Sequence, residues 1–199
     1  MLRRAILLPI LLSNLLLAAC GSQDAEQAVA PPLEGATIGG DFTLVSETGE
    51  PARWTDWDGK WRMIYFGYTF CPDICPVDVQ RMAAGYRAFQ QAEPKLAAQI
   101  VPIFVSIDPA RDTPAVVAEF TDAFSPDLVG LTGSEEQVAD AAKAFSIYYA
   151  KGAETPNGGY LMDHSRQAYL FDPDGNPIAL LPVDESAEAV TAELERWVR

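Results

Sequence analysis

Histidine and cysteine are scarce in this chain, one and three among 199 residues, and the 14 Lys and Arg are outnumbered by 28 Asp and Glu. The acidic balance argues against nucleic acid as a partner and against a basic membrane-binding face. It fits cationic partners, or solubility alone. No Gly-rich phosphate loop, Ser/His/Asp set, nucleic-acid motif or internal repeat is visible, so nucleotide binding and triad hydrolysis find no support. No apolar run reaches the roughly 20 residues that a membrane-spanning helix needs. The nearest, Ala5 to Leu17, is short and is broken by Pro9, Ser13 and Asn14.

That stretch reads instead as an export signal, with Arg3 and Arg4 as its positive start. Leu17-Ala18-Ala19-Cys20 has the small residues and cysteine of a bacterial lipoprotein signal. Residues 1–19 are therefore expected to be removed and Cys20 to carry the lipid. Residues 20–35, rich in Ala, Gln, Glu and Pro, read as a flexible tether, and residues 36–199 as one domain. Losing Arg3 and Arg4 leaves 14 − 2 = 12 basic against 28 acidic residues, a formal charge of −16. The expected location is the bacterial cell membrane, held by the lipid, with the domain in the periplasm.

Strand and helix periodicities then alternate along the chain. Phe42 to Val45 and Ala52 to Trp57 flank Glu47-Thr48-Gly49-Glu50, which predicts an N-terminal β-hairpin. Trp61 to Phe66 and Ile100 to Ile107 are apolar runs suited to strands buried on both faces. Val79, Met82, Tyr86 and Phe89 recur at helical spacing after Cys75, with Pro76 tolerable only in a first turn. Asp112-Thr113-Pro114 starts a helix carrying Val117, Phe120 and Phe124, and Ser134 caps another carrying Val138, Ala142 and Phe145. Leu128 to Leu131, Ile147 to Tyr149 and Arg166 to Phe171 read as strands, with a Gly/Pro-rich loop over residues 151–159. Asp172-Pro173-Asp174-Gly175 turns the chain back into Ile178 to Leu181, and a helix with Ala187, Val190, Leu194 and Trp197 closes it. The pattern gives an α/β sandwich of thioredoxin type.

With Cys20 assigned to lipid, Cys71 and Cys75 remain as an even pair in an oxidising compartment. They lie four residues apart where a strand runs into a helix, so both sulfurs share one helix face. The helix N-terminus favours thiolate, which is both nucleophile and metal ligand. Thioredoxin-like redox enzymes place two residues between their cysteines; here Pro72, Asp73 and Ile74 make three. That spacing admits a dithiol, a disulfide or one metal ion. His164, in Leu161-Met162-Asp163-His164-Ser165, is the obvious third ligand, with Asp163 placed to orient the imidazole or ligate weakly. Two thiolates and an imidazole suit Cu(I) and can hold Cu(II), whereas zinc would want a fourth ligand. Asp108 to Asp112 reads as a structural turn with a local ion pair that can line the same crevice. Trp54, Trp57, Trp61, Tyr65, Phe66, Tyr68 and Phe70 read mainly as packing, some of them shielding a metal or facing a partner.

Three segments together resemble the Sco/SenC family of copper-binding assembly proteins for cytochrome c oxidase. They are Gly67-Tyr68-Thr69-Phe70-Cys71-Pro72-Asp73-Ile74-Cys75-Pro76, then Val105 through Pro114, then Asp163-His164-Ser165 before Tyr169-Leu170. The resemblance implies a thioredoxin-like fold and a copper site of Cys71, Cys75 and His164. It implies delivery of copper to, or reduction of, the dinuclear copper centre in the oxidase's second subunit, with other periplasmic copper carriers as further partners. Many relatives use a spanning helix where this chain offers Cys20. The leading expectation is a metallochaperone without turnover. The alternative is a membrane-anchored thiol–disulfide oxidoreductase cycling a Cys71–Cys75 disulfide. A peroxidase-like sensor has no further reactive cysteine to support it.

Overall fold

Apolar runs become the middle of a sheet in the computed structural model, which describes residues 29–154 and 159–199. The expected signal peptide, Cys20 and the tether up to residue 28 lie outside the described residues. The elements are β1 (Thr43–Ser46), β2 (Pro51–Arg53), β3 (Trp61–Gly67), α1 (Ile74–Ala92), α2 (Pro94–Ala97), β4 (Ile100–Ser106) and α3 (Pro114–Asp122). They continue with β5 (Val129–Thr132), α4 (Glu135–Ala144), β6 (Tyr149–Glu154), β7 (Tyr160–His164), β8 (Ala168–Phe171), β9 (Pro177–Leu181) and α5 (Ala187–Trp197). Seven strands form one sheet in the order β2-β1-β5-β4-β3-β8-β9, and β6 and β7 form a separate ribbon. The strands β3, β4 and β5 run parallel, while β1, β8 and β9 join antiparallel. This is the α/β layering that the sequence predicts.

Every residue of β3 is buried, as a strand covered on both faces requires. Alternation sends Tyr65 toward α1, where its hydroxyl meets Asp78 at 3.1 Å. Phe66 points to the other face and packs on Phe145, ring centroids 5.3 Å apart. Arg62 lies fully buried within the same run, stacked over Trp54 at 4.4 Å and paired with Asp58 at 2.8 Å. On the α1 face, Gly85 lets α5 approach: a Cβ there would stand 2.7 Å from both the Ala187 carbonyl and Val190.

Helix starts follow the predicted chemistry. Thr113 accepts from Val116 N–H ahead of Pro114, and Ser134 and Gln137 form a reciprocal capping box. Pro76 sits in the first turn of α1, where it costs no helical hydrogen bond.

Three expectations need correction. The second arm of the hairpin stops at Arg53, and Trp54–Trp57 is a 3-10 turn that drops Trp54 into the core. Lys151 to Glu154, read as loop, are strand β6, pairing with β7 instead of with the main sheet. The tether ends earlier than residue 35: Leu33 packs against the core and its N–H donates to the Ile178 carbonyl at 3.1 Å.

Candidate metal centre

The carboxyl ends of parallel strands form the crevice where an α/β sheet holds its ligands, and β3 delivers the cysteines there. Thr69 follows the strand with its N–H and hydroxyl bonded to Asp112 at 3.0 and 2.7 Å. Asp112 is fully buried, also accepts from the Ser106 hydroxyl at 2.6 Å, and so fastens the loop carrying Cys71 to the end of β4. Burial pushes its carboxyl above the ordinary range, against the pull of the Ser106 and Thr69 hydrogen bonds. Cys71 is half-buried, and Cys75, inside the first turn of α1, is buried.

His164 is the last residue of β7, a strand that the sequence pattern did not announce. Its Nε2 lies 3.1 Å from Cys75 Sγ. Its Nδ1 lies 2.7 Å from the Ser165 carbonyl. A carbonyl only accepts, so Nδ1 carries a proton, and in the neutral ring Nε2 presents its lone pair toward Cys75. The Ser165 carbonyl holds the orienting place that Asp163 was expected to fill. Asp163 is exposed one residue earlier, where strand alternation turns it to the other face. Tyr65 and Tyr68 wall the imidazole edge-on, centroids 6.3 and 5.9 Å away.

The two sulfurs and the imidazole nitrogen all lie within 4.8 Å of one another. The thiols are not equivalent. Hydrogen bonding from Cys75 is the main cause that lowers Cys71 to about 3, against the cost of burial and aided by the N–H groups of Asp73 and Cys75 at the start of α1. Its partner moves the opposite way: the Cys71 hydrogen bond and burial push the Cys75 thiol up. Burial likewise raises Tyr65, and raises Tyr68 to about 12, so both phenols stay protonated donors. One thiolate and one thiol therefore share a proton beside the imidazole. Iodoacetamide should alkylate Cys71 already at about pH 5, since thiolate persists above its depressed value, and leave Cys75 unmodified. Peptide mass mapping reads the order, and Cys75 reacting first would contradict this assignment.

The turn at Asp108 combines both roles expected of it. Arg111 pairs with Asp108, donates to the Tyr160 carbonyl at 2.9 Å and stacks on the Tyr160 ring at 3.7 Å and on Phe70 at 4.9 Å. Tyr160 returns a 2.7 Å hydrogen bond to Asp108. The ion pair thus ties the start of β7 to the cysteine loop. Phe70, next to Cys71, is exposed, whereas Trp54, Trp61, Tyr65, Phe66 and Tyr68 are core.

Sequence reasoning missed Asp78 and Arg166. Asp78 is fully buried and takes Arg166 Nε at 3.0 Å and a second guanidinium nitrogen at 2.8 Å. Its signal was present: Cys75, Asp78, Val79 and Met82 share one helix face, so an acid interrupts an apolar stripe. Arg166 carries no local signal, because its partner is 88 residues away. Among the described residues, no helix is long and apolar enough to cross a membrane.

Comparison with known proteins agrees with this geometry. The SCO1/SenC family profile matches residues 30–199. Protein SenC of Rhodobacter capsulatus is 45% identical over 139 residues, 69% of this chain and 60% of its own length. The chain spans about half to two thirds of the length of several curated relatives it matches. The crystal structure of Arabidopsis thaliana ScoI with copper bound superposes with a TM-score of 0.74 at 36% identity, covering 79% of this chain and 95% of that one. Bradyrhizobium japonicum ScoI with copper bound gives 0.72 at 34% identity, covering 80% and 99%.

Proposed function

Since this chain belongs to the SCO1/SenC family, we propose that it is a copper metallochaperone for the dinuclear copper centre of cytochrome c oxidase. The observation that carries the proposal is the meeting of Cys71 Sγ, Cys75 Sγ and a His164 nitrogen within 4.8 Å. Two thiolates and one imidazole form a soft donor set matched to Cu(I) and able to hold Cu(II). Loading displaces the proton left on Cys75, because a thiol must deprotonate to ligate. Cys71 lies in the loop before α1 and Cys75 in its first turn, while His164 stands on β7, so the imidazole can be exchanged for a recipient's ligand while the thiolates keep the ion. The protein acts in this reading as a carrier without turnover. The recipient is the oxidase's copper-centre subunit, and other periplasmic copper carriers supply the ion.

Copper titration of the reduced protein tests the proposal. One ion should bind per chain, and with Cu(II) a thiolate-to-metal charge-transfer band should appear in visible absorption. Both should vanish in the Cys71→Ser, Cys75→Ser double variant. Stoichiometric binding that survives that change refutes the site.

The second reading is a thiol–disulfide oxidoreductase that prepares the oxidase's own cysteines. The depressed Cys71 thiol beside a second free thiol favours it. Membrane attachment through a lipid on Cys20 belongs to the same proposal. It rests on Leu17-Ala18-Ala19-Cys20, and the intact mass of membrane-extracted protein reads it directly. An unmodified residue 20, or an uncleaved chain, would refute it.

A further inference from the structure

Two of the three donor atoms need no long-range help, since Cys71 and Cys75 lie within one loop-to-helix junction. His164 comes from 89 residues beyond Cys75. It sits at the end of a two-stranded ribbon that, among the described residues, makes no pairing with the seven-stranded sheet. Something must hold that ribbon end against α1, and the nearest tie is Asp78 with Arg166. Asp78 stands three residues after Cys75, and Arg166 two residues after His164. The guanidinium meets the carboxylate with two nitrogens, at 3.0 and 2.8 Å, the fork geometry that fixes orientation as well as distance. The same carboxylate accepts from Tyr65, whose ring forms one wall of the imidazole pocket. One fully buried carboxylate thereby touches the strand under the imidazole and the segment following it, while its own helix carries Cys75.

We infer that Asp78 and Arg166 are positioning residues that hold His164 on the cysteine pair and thereby fix whether a bound copper ion receives its third ligand. This rests on the copper reading above for its ligand, but not for its geometry. The Asp108, Arg111 and Tyr160 contacts hold the opposite end of β7. The pair at Asp78 therefore acts on the His164 end specifically. A buried ion pair is weak grounds for stability, because desolvation offsets much of the attraction, and positioning is the better-founded role.

The test uses the full-length protein with Asp78→Asn and Arg166→Gln together, which leaves no uncompensated buried charge. Arg166→Lys is the second variant, keeping the charge and losing the fork. The chain has one histidine, so its ring signals in a proton–nitrogen NMR spectrum are unambiguous and need no copper. In the wild type those signals should carry ring-current shifts from Tyr65 and Tyr68. In the neutral-pair variant they should move toward free-imidazole values, with Arg166→Lys between. Cu(I) retention in competition with a chelator should fall on the order of tenfold, the size found when an outer partner of a ligand is lost. Placed in a His164→Ala background, the same pair change should produce no further fall. An equal loss in both backgrounds would show that the pair acts through general stability, and overturn the inference. Unchanged ring signals in both pair variants would overturn it equally. If His164→Ala alone leaves copper retention intact, the copper reading falls, and the ring signals still decide the positioning role.

Discussion

Cells carrying His164→Ala should lose cytochrome oxidase activity when copper is scarce and regain part of it when copper is supplied. Nε2 of that residue lies 3.1 Å from Cys75 Sγ, so its removal leaves an ion with two sulfurs and an open side. Copper retention should drop by at least about tenfold, the lower end of what losing even an outer partner costs. The cysteines should be little affected as a redox couple. Thiol exchange depends on thiolate fraction and access, and the backbone N–H groups at the start of α1 still reach Cys71. The same variant thus separates the two proposed functions. Normal oxidase activity in His164→Ala cells under copper limitation, alongside failure of Cys71→Ser cells, would favour the oxidoreductase reading.

Phe145→Ala should cost about 3–5 kcal/mol of folding stability, the range for truncating a buried aromatic ring. Phe145 is fully buried and packs on Trp54, Phe66, Phe171 and Phe42 at centroid distances of 5.1, 5.3, 5.4 and 5.9 Å. It joins the sheet face opposite α1 to the 3-10 turn and the hairpin, so its loss opens a void between three elements at once. Denaturant unfolding followed by tryptophan fluorescence measures the change. Copper bound per folded molecule should stay the same, because β3 separates this cluster from Cys75. A loss under about 1 kcal/mol would mean the neighbouring rings close the void.

The central strands were legible because β3 and β4 are buried on both faces and so are written as unbroken apolar runs. The helices were legible where a stripe or a cap announced them, as at Val79 to Phe89 and at Ser134. Trp54 to Trp57 misled because aromatic residues suit a strand by type, while tertiary packing drew Trp54 inward through a tight turn. Lys151 to Glu154 misled for the opposite reason: the ribbon is largely solvated, so no apolar alternation marks it. At the centre, residue type identified the donors because sulfur and imidazole chemistry is visible in one letter. The group that orients His164 was not visible, since it is the backbone carbonyl of Ser165, which every residue possesses. Asp78 with Arg166 was half visible, as an acid in an apolar stripe whose partner only the folded chain reveals.

Leu33 meets Ile178 at the end of the sheet where β3 begins, since β8 sets Phe171 beside Arg62 and β9 sets Pro177 beside Phe171. The cysteines follow the other end of β3, seven residues away, or about 20 Å at strand rise. The chain therefore enters at one pole and offers its thiols at the other. Were residue 20 the point of attachment, the 33 − 20 = 13 residues before that pole would give a leash of at most about 45 Å. Such a leash would hold the domain by its back. Its donor face would then be free to meet a receptor standing above the bilayer, whereas a fluorophore or purification handle added at the front of the chain would be lost with residues 1–19.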